Sequence, residues 1–104
     1  MYATLRLYKV NPIFEKDFIR QWNVVRNELQ KRELLHSATL HKESAISFIS
    51  YSVWSDRFSD LIKEDFATTA PEPYKAMIDR LKEYVNSMRL IHKMEILQVE
   101  KYEH

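Results

Sequence analysis

Residues 46–66, ISFISYSVWSDRFSDLIKEDF, constrain the fold most strongly, because two kinds of periodicity meet in them. Residues 46–54 are rich in β-branched and aromatic side chains, which is typical of a strand with apolar contacts on both faces. Ser55 follows as a candidate N-cap, and Phe58, Leu61, Ile62 and Phe66 then recur at helical spacing. The stretch therefore predicts a strand that passes directly into an amphipathic helix.

The start of the chain predicts a strand and a helix that can pack against residues 46–66. Tyr2–Val10 alternates apolar and polar side chains with the two-residue period of a strand. Asn11-Pro12 predicts a helix start, because Asn can accept from free amides and Pro gives up no needed donor there. The helical pattern fails around Glu33. Before it, apolar residues at steps of three and four predict one buried stripe: Phe14, Phe18, Trp22, Val25 and Leu29.

The remainder of the chain predicts two more strands and a long helix. Residues 35–41 predict a strand, and residues 42–45 a loose turn, since tight hairpin turns favour glycine and the chain has none. Residues 67–73 contain two prolines and predict a loop. Residues 90–103 predict the last strand. Between this strand and the loop at residues 67–73, a helix is predicted from an apolar stripe: Tyr74, Met77, Ile78, Leu81, Tyr84, Val85 and Met88.

The order of these elements is that of a split β-α-β fold. A chain of 104 residues is expected to form one domain, residues 1–104. Its fold class is α+β, with four strands in one antiparallel sheet and the helices on one face. The opposite face, predicted to carry Tyr8 and Trp54, would be uncovered in a monomer. Such a face predicts a homodimer.

Composition excludes several classes of function. Lys plus Arg number 16 against 15 for Asp plus Glu, so no broad positive field is expected to attract nucleic acid. The absence of cysteine excludes thiol and iron-sulfur chemistry and fits a reducing cytoplasm, which is the expected location. The absence of glycine removes the usual phosphate-binding loops. No signal peptide or membrane-spanning run is recognised, so no membrane partner is expected.

The four histidines do not form a metal motif. His36 and His41 are five residues apart on a predicted strand and would point to opposite faces. His92 begins the predicted last strand, and His104 is the final residue. No metal ion is expected.

One face of two predicted strands offers a candidate pocket. The first strand contributes Thr4, Arg6 and Tyr8. The strand at residues 46–54 contributes Phe48, Ser50, Ser52 and Trp54. Such a set can hold a flat anionic or phenolic ligand, and Arg6, always charged, could stabilise a phenolate or enolate. The alternative is that Arg6 pairs with a carboxylate across a dimer and Tyr8 only packs.

The sequence also resembles a known family. SVWSDRF at residues 52–58, a strand-end Trp followed by a polar residue and a helix with a Phe, resembles the hallmark of antibiotic biosynthesis monooxygenase (ABM) domains. The opening strand, the VNP and the helix with Phe18 and Trp22 are similar to the same family, and the resemblance covers essentially the whole chain. It implies a ferredoxin-like sandwich that pairs sheet to sheet as a dimeric α+β barrel, with a cavity in each subunit.

The resemblance also implies candidate chemistry. Characterised ABM relatives include cofactor-independent oxygenases of phenols and quinols, haem-degrading enzymes and many proteins of no known activity. The cavity-facing Trp of the oxygenases matches Trp54, but the Asn four residues before it is replaced by Ser50, which lacks an amide's paired donor and acceptor. The haem-degrading branch needs an Asn where Thr4 stands and a helical His, yet no His occurs between Lys42 and Ile91. No haem or other cofactor is expected.

Two functions of different class follow. The first is a cofactor-independent monooxygenase of a small phenolic or quinol-like aromatic substrate, with Arg6, Tyr8 and Trp54 as catalytic residues. Its substrate-binding residues would be Thr4, Phe48, Ser50 and Ser52. The second is a non-catalytic dimeric module that binds a small ligand or has a structural role. An enclosed cavity on which the three catalytic residues converge favours the first, and a cavity filled with side chains favours the second.

Overall fold

The structure is a computed structural model of the 104-residue chain and describes residues 1–56 and 66–97. Its elements are β1 (Tyr2–Val10), a 3-10 turn (Pro12–Phe14), α1 (Glu15–Lys31), β2 (Leu35–Lys42), β3 (Ser47–Trp54), α2 (Phe66–Thr69), α3 (Tyr74–Lys82) and β4 (Val85–Glu95). The predicted helical positions Phe58, Leu61 and Ile62 lie outside the described residues, as does the end of the predicted last strand.

The four strands form one antiparallel sheet in the order β2-β3-β1-β4. The register pairs Tyr2 with Trp54 on β3 and with Glu95 on β4. Because β3 lies between β1 and β2, the connection through α1 is the split β-α-β unit of a ferredoxin-like fold. The predicted α+β class and four-stranded antiparallel sheet are confirmed.

The start of α1 follows from Asn11 and Pro12. The Asn11 side chain accepts a hydrogen bond from the Ile13 amide at 3.1 Å, and Pro12 opens the 3-10 turn that leads into α1. Of the predicted stripe, Phe18, Trp22 and Leu29 are buried and Val25 is half-buried. Phe14 departs from the prediction, because it belongs to the 3-10 turn, whose three-residue period takes it out of line with α1. It is 36% exposed, and its ring centroid lies 5.6 Å from that of Tyr84.

The end of α1 is a Schellman motif without glycine. The amide of Glu33 donates to the Gln30 carbonyl, and the amide of Leu34 donates to the Leu29 carbonyl, both at 3.0 Å. Glu33 has a φ of 61°, in the left-handed region where a glycine is usual, at a cost on the order of 1 kcal/mol. The predicted failure of the helical pattern around Glu33 is confirmed.

The boundary between the last helix and the last strand was predicted wrongly. Helix α3 ends at Lys82 and β4 begins at Val85, so Tyr84, Val85 and Met88 are not helical. Val85 pairs with Val10 and Met88 with Tyr8, so the ladder of hydrogen bonds to β1 prevails over the helical spacing. The last strand therefore starts at Val85 and not at residue 90.

The helices cover one face of the sheet, and two hydrophobic clusters lie there. The Phe18 cluster consists of Tyr8, Val10, Phe18, Trp22, Phe48 and Leu81. The Trp54 cluster consists of Tyr2, Leu29, Leu35, Trp54, Phe66, Ala70, Tyr74 and Ile78. We call this side of the sheet the helix-covered face, and the other side the open face.

Tyr8 and Trp54 lie on the helix-covered face, which corrects the prediction that they occupy the uncovered one. Both are buried, with ring centroids 5.1 Å from Phe18 for Tyr8 and 5.7 Å from Phe66 for Trp54. The open face carries the alternate residues of β1 and β3, among them Leu5, Leu7, Ile49, Tyr51 and Val53. The alternation could not decide the face, because both sides of β1 and β3 carry apolar side chains.

No helix within residues 1–56 and 66–97 has the length and apolar content needed to cross a membrane.

Candidate functional site

A cavity of about 70 Å³ lies between the sheet and the helices, bounded by members of both clusters. Six of the seven predicted site residues line it, namely Thr4, Arg6, Tyr8, Ser50, Ser52 and Trp54. The seventh, Phe48, does not, because its ring packs against Phe18 at 5.3 Å within the Phe18 cluster. The structure therefore brings six of the predicted residues together around the cavity. Phe48 is packed in the Phe18 cluster and does not contact the cavity.

The antiparallel register explains why these side chains meet. Thr4 lies opposite Ser52 and Arg6 opposite Ser50, and directly paired residues of neighbouring strands point to the same face. The serines are buried, and their short side chains leave space below the helices. Tyr8 lies one pair further along β1 and closes one end of the row.

Several polar atoms of the site are hydrogen-bonded to each other. The Tyr8 hydroxyl accepts a hydrogen bond from Trp22 Nε1 at 3.3 Å and shares one with Ser50 Oγ at 3.1 Å. Trp54 Nε1 donates to Thr4 Oγ1 at 2.9 Å. These bonds fix the planes of both indoles and the direction of the phenol ring. A ligand in the cavity would thus meet an oriented polar wall.

The cavity also has lining residues that the sequence indicated only as packing, or not at all. Trp22, Val25 and Leu29 line it from α1, and Phe66 from α2. The sequence did not single out Arg26, the charged lining residue on α1. It is half-buried, and its guanidinium carbon lies 5.5 Å from the centroid of the Trp22 ring. Its signal in the sequence is the spacing from Trp22, since residues four apart share a helix face.

Two further observations bear on possible chemistry. Within residues 1–56 and 66–97, no group of three or more His, Asp or Glu side chains is placed to hold a metal ion. Tyr2, in the Trp54 cluster, has a buried hydroxyl that finds no hydrogen-bond partner in the described part of the chain. Burial raises the pKa of this phenol above its ordinary value of 10.0.

Comparisons with known proteins agree on the fold. No protein-family model and no curated protein matches the sequence. Solved structures do match. SnoaB from Streptomyces nogalater, described as a cofactor-independent oxygenase and crystallised as a mutant, is 14% identical with a TM-score of 0.71, over 94% of each chain. A protein from Deinococcus radiodurans, described as an antibiotic biosynthesis monooxygenase, is 9% identical with a TM-score of 0.75, over 100% of each chain.

A third structure, from Bordetella bronchiseptica and described in the same words, is 17% identical with a TM-score of 0.69, over 93% of this chain and 97% of that one. The chain has the fold of solved ABM proteins. The resemblance drawn from SVWSDRF is thereby confirmed as a fold, from the first strand to the last. Because all three identities are below 20%, the likeness carries the ABM fold to this chain and not a reaction.

Proposed function

We propose that the protein is a cofactor-independent monooxygenase of a small phenolic or quinol-like aromatic substrate, bound between the sheet and the helices. The observation that carries the proposal is the wall of the cavity, where Arg6, the Tyr8–Ser50 pair and the Trp54 indole come together. The fold shared with SnoaB, described as a cofactor-independent oxygenase, supports it.

Each of these groups has a role in the proposed reaction. Arg6 is cationic at any working pH and stabilises the phenolate or enolate formed when the substrate loses a proton. When the Tyr8 hydroxyl donates to Ser50, the Ser50 hydroxyl hydrogen can be donated to a substrate oxygen. Trp54 offers the substrate ring an indole held by its bond to Thr4.

The reaction balances without a cofactor. In an anthrone-type substrate, the CH₂ carbon between two rings loses both C–H bonds and gains one oxygen atom of O₂ as a carbonyl. The second oxygen atom leaves as water with the two hydrogens. The four electrons that reduce O₂ come from the substrate, which is why its anion must be stabilised.

The second candidate is a non-catalytic small-ligand module of the same fold, and the size of the cavity favours it. The cavity measures about 70 Å³, whereas an apolar cavity that accepts benzene measures roughly 150 Å³. Binding of an aromatic ring therefore requires the lining side chains to move apart. A protein that only binds a smaller ligand needs no such movement.

Oxygen uptake separates the two candidates. The parent is assayed with a panel of anthrone and dihydroxy-aromatic substrates beside Arg6→Ala and the control Arg20→Ala, which removes a 74%-exposed arginine of α1 paired with Asp17. We expect uptake above the uncatalysed rate in the parent and the control, and a loss of about 10²-fold in kcat for Arg6→Ala, typical of removing one transition-state contact. Uptake at the uncatalysed rate across the panel, in folded protein, would favour the non-catalytic module.

We also propose that the protein is a homodimer joined through the open face. That face carries an apolar row from β1 and β3, and Tyr51 on it is 42% exposed. Both clusters that pack on the helices lie on the other face. A stable interface of this kind buries more than roughly 1,200 Å² in total.

Light scattering tests the dimer. We expect twice the chain mass for the parent at micromolar concentration, and the mass of one chain for Tyr51→Glu, which places a charge in the apolar row. Val24→Glu, on a 44%-exposed position of α1, is the matched control and should stay dimeric. A parent mass equal to one chain would exclude the interface.

A further inference from the structure

A larger concavity lies beside the cavity, between α1 and the edge strand β2. It measures about 410 Å³, within the range of roughly 300 to 1,000 Å³ that small-molecule sites occupy. We call it the α1–β2 groove. Trp22 and Arg26 line it from α1, Leu40 and Lys42 from β2, and Phe48 from β3.

The walls of the groove are aromatic. The rings of Trp22 and Phe48 line it from α1 and β3, and both are largely buried, with relative exposures of 6% and 2%. Edge strand β2 has no further strand beyond it in the described sheet. A flat apolar group that enters the groove from this edge can contact the exposed margins of both rings.

Two cations lie above these rings, but only one is already neutralised. The Lys42 ammonium lies 5.7 Å from the centroid of Phe48 and forms an ion pair with Glu15 at 2.6 Å. Arg26, held over Trp22, donates to the neutral amide oxygen of Asn27 at 3.3 and 3.2 Å. Within the described residues no carboxylate lies within ion-pair distance of Arg26.

An arginine in this state is suited to a carboxylate ligand. The planar guanidinium can bind both oxygens of a carboxylate at once, and stacking on the indole limits its orientations before binding. A neutral ligand would use the aromatic surface alone and gain nothing from the charge. The combination of two rings and one cation without an acidic partner selects a ligand that carries both an aromatic ring and an acid group.

We propose that the α1–β2 groove binds an aromatic carboxylate, with its ring against Trp22 and Phe48 and its carboxylate held by Arg26. Trp22, Arg26 and Ala38 line both the groove and the cavity, so the two spaces adjoin. The proposal goes beyond the monooxygenase, because it concerns binding and holds whether or not the protein reduces oxygen.

Titration calorimetry with a matched pair of probes tests the site. The probes are 2-naphthoate and the neutral 2-naphthamide, which share a ring system and differ in charge. We expect the parent at pH 7 to bind 2-naphthoate at least tenfold more tightly than 2-naphthamide, and this preference to shrink at high salt. Arg26→Gln should weaken 2-naphthoate by about 10-fold to 100-fold, as expected for a lost charge-assisted contact, and leave 2-naphthamide unchanged.

Further variants distinguish the proposed contact from a general charge effect. Arg20→Gln removes an exposed positive charge from the same helix and should leave both affinities unchanged. Arg26→Lys keeps the charge but not the two-pronged geometry and should give an intermediate affinity. Thermal unfolding of each variant confirms that it is folded. Equal binding of the two probes by the parent, or an unchanged 2-naphthoate affinity in folded Arg26→Gln, would overturn the proposal.

Discussion

The Phe18 cluster and the Trp54 cluster lie on the same face of the sheet but are packed differently. Phe18 is 0% exposed, and its ring centroid lies 5.1 Å from Tyr8 and 5.3 Å from Phe48. In the Trp54 cluster the centroid distances are longer, 5.7 Å from Trp54 to Phe66 and 5.9 Å from Phe66 to Tyr74. Trp54 and Phe66 also border the cavity, whereas Phe18 does not.

A side chain with protein atoms on every side gains the full set of dispersion contacts, but one that borders a void has no partner atoms in that direction. We therefore expect Phe18, which borders neither the cavity nor the groove, to contribute more to the free energy of unfolding than Trp54. Trp54 can gain further contacts from a ligand in the cavity.

The largest expected effect tests the comparison directly. Phe18→Ala should lower the free energy of unfolding by about 4 kcal/mol, because the site is fully packed and cannot collapse. Trp54→Ala should cost about 3 kcal/mol, although it removes a larger side chain, because the indole borders a void. Urea denaturation at one fixed protein concentration measures both.

Val24→Ala on the exposed side of α1 is the control for these substitutions, and it should change the free energy of unfolding by less than about 0.5 kcal/mol. A larger loss for Trp54→Ala than for Phe18→Ala would show that the two clusters do not differ in the proposed way.

A smaller effect is expected where the Phe18 cluster meets the cavity. Tyr8→Phe removes the hydroxyl that accepts from Trp22 and bonds Ser50, and leaves the buried indole N–H without its acceptor. The cost should be about 1 to 3 kcal/mol, as for other buried unsatisfied donors. A double-mutant cycle with Ser50→Ala should show that the two changes are not additive, since both remove the same bond. Strict additivity would mean that the Tyr8–Ser50 bond contributes nothing.

The smallest effect, and one of opposite sign, is expected in the Trp54 cluster. Tyr2→Phe removes a buried hydroxyl that has no partner in the described residues and should raise the free energy of unfolding by about 1 kcal/mol at pH 8.

The gain in the free energy of unfolding from Tyr2→Phe should increase as the pH rises. Burial raises the pKa of Tyr2 in the folded chain, while the unfolded chain ionises near the ordinary value of 10.0. The protonated phenol therefore favours the folded state fully below about pH 10, and that stability is lost as the pH rises through the folded pKa. The advantage of Tyr2→Phe should grow between pH 8 and pH 11. An equal difference at both pH values would contradict the raised pKa.

Local patterns in the sequence predicted the four strands, α1 and α3, but not all of their boundaries. Helix α2 (Phe66–Thr69) also takes in residues 67–69, which were predicted to be loop. Strand β1 was predictable because its two-residue alternation repeats several times. The middle of α1 was predictable because apolar residues recur there at steps of three and four over several helical turns. The start of β4 was not, because Val85 and Met88 fit a helical stripe as well as a strand. Their pairing with Val10 and Tyr8, far away in the chain, decides the outcome.

The residues of the candidate site could be predicted as a group, but the face of the sheet on which they lie could not. Thr4, Arg6, Ser50 and Ser52 had to share a face once β1 and β3 pair, because side chains alternate along a strand. Which face the helices cover depends on how α1 packs, and no residue in either strand decides it alone. The spacing of Arg26 from Trp22 places both on one face of α1, but the position of Arg26 between the cavity and the groove depends on how β2 packs against that helix.

The pairing of Tyr2 with Glu95 has a consequence for the order in which the sheet can form. β1 is a central strand, and one of its two neighbours is β4, the last strand among the described residues. During synthesis from the N terminus, β1 and β3 can meet while β4 is still absent, so one edge of β1 stays open until residues 85–95 have left the ribosome. The contact that closes the centre of the sheet is also among those with the longest loop to close, and chain pairings of this kind slow folding.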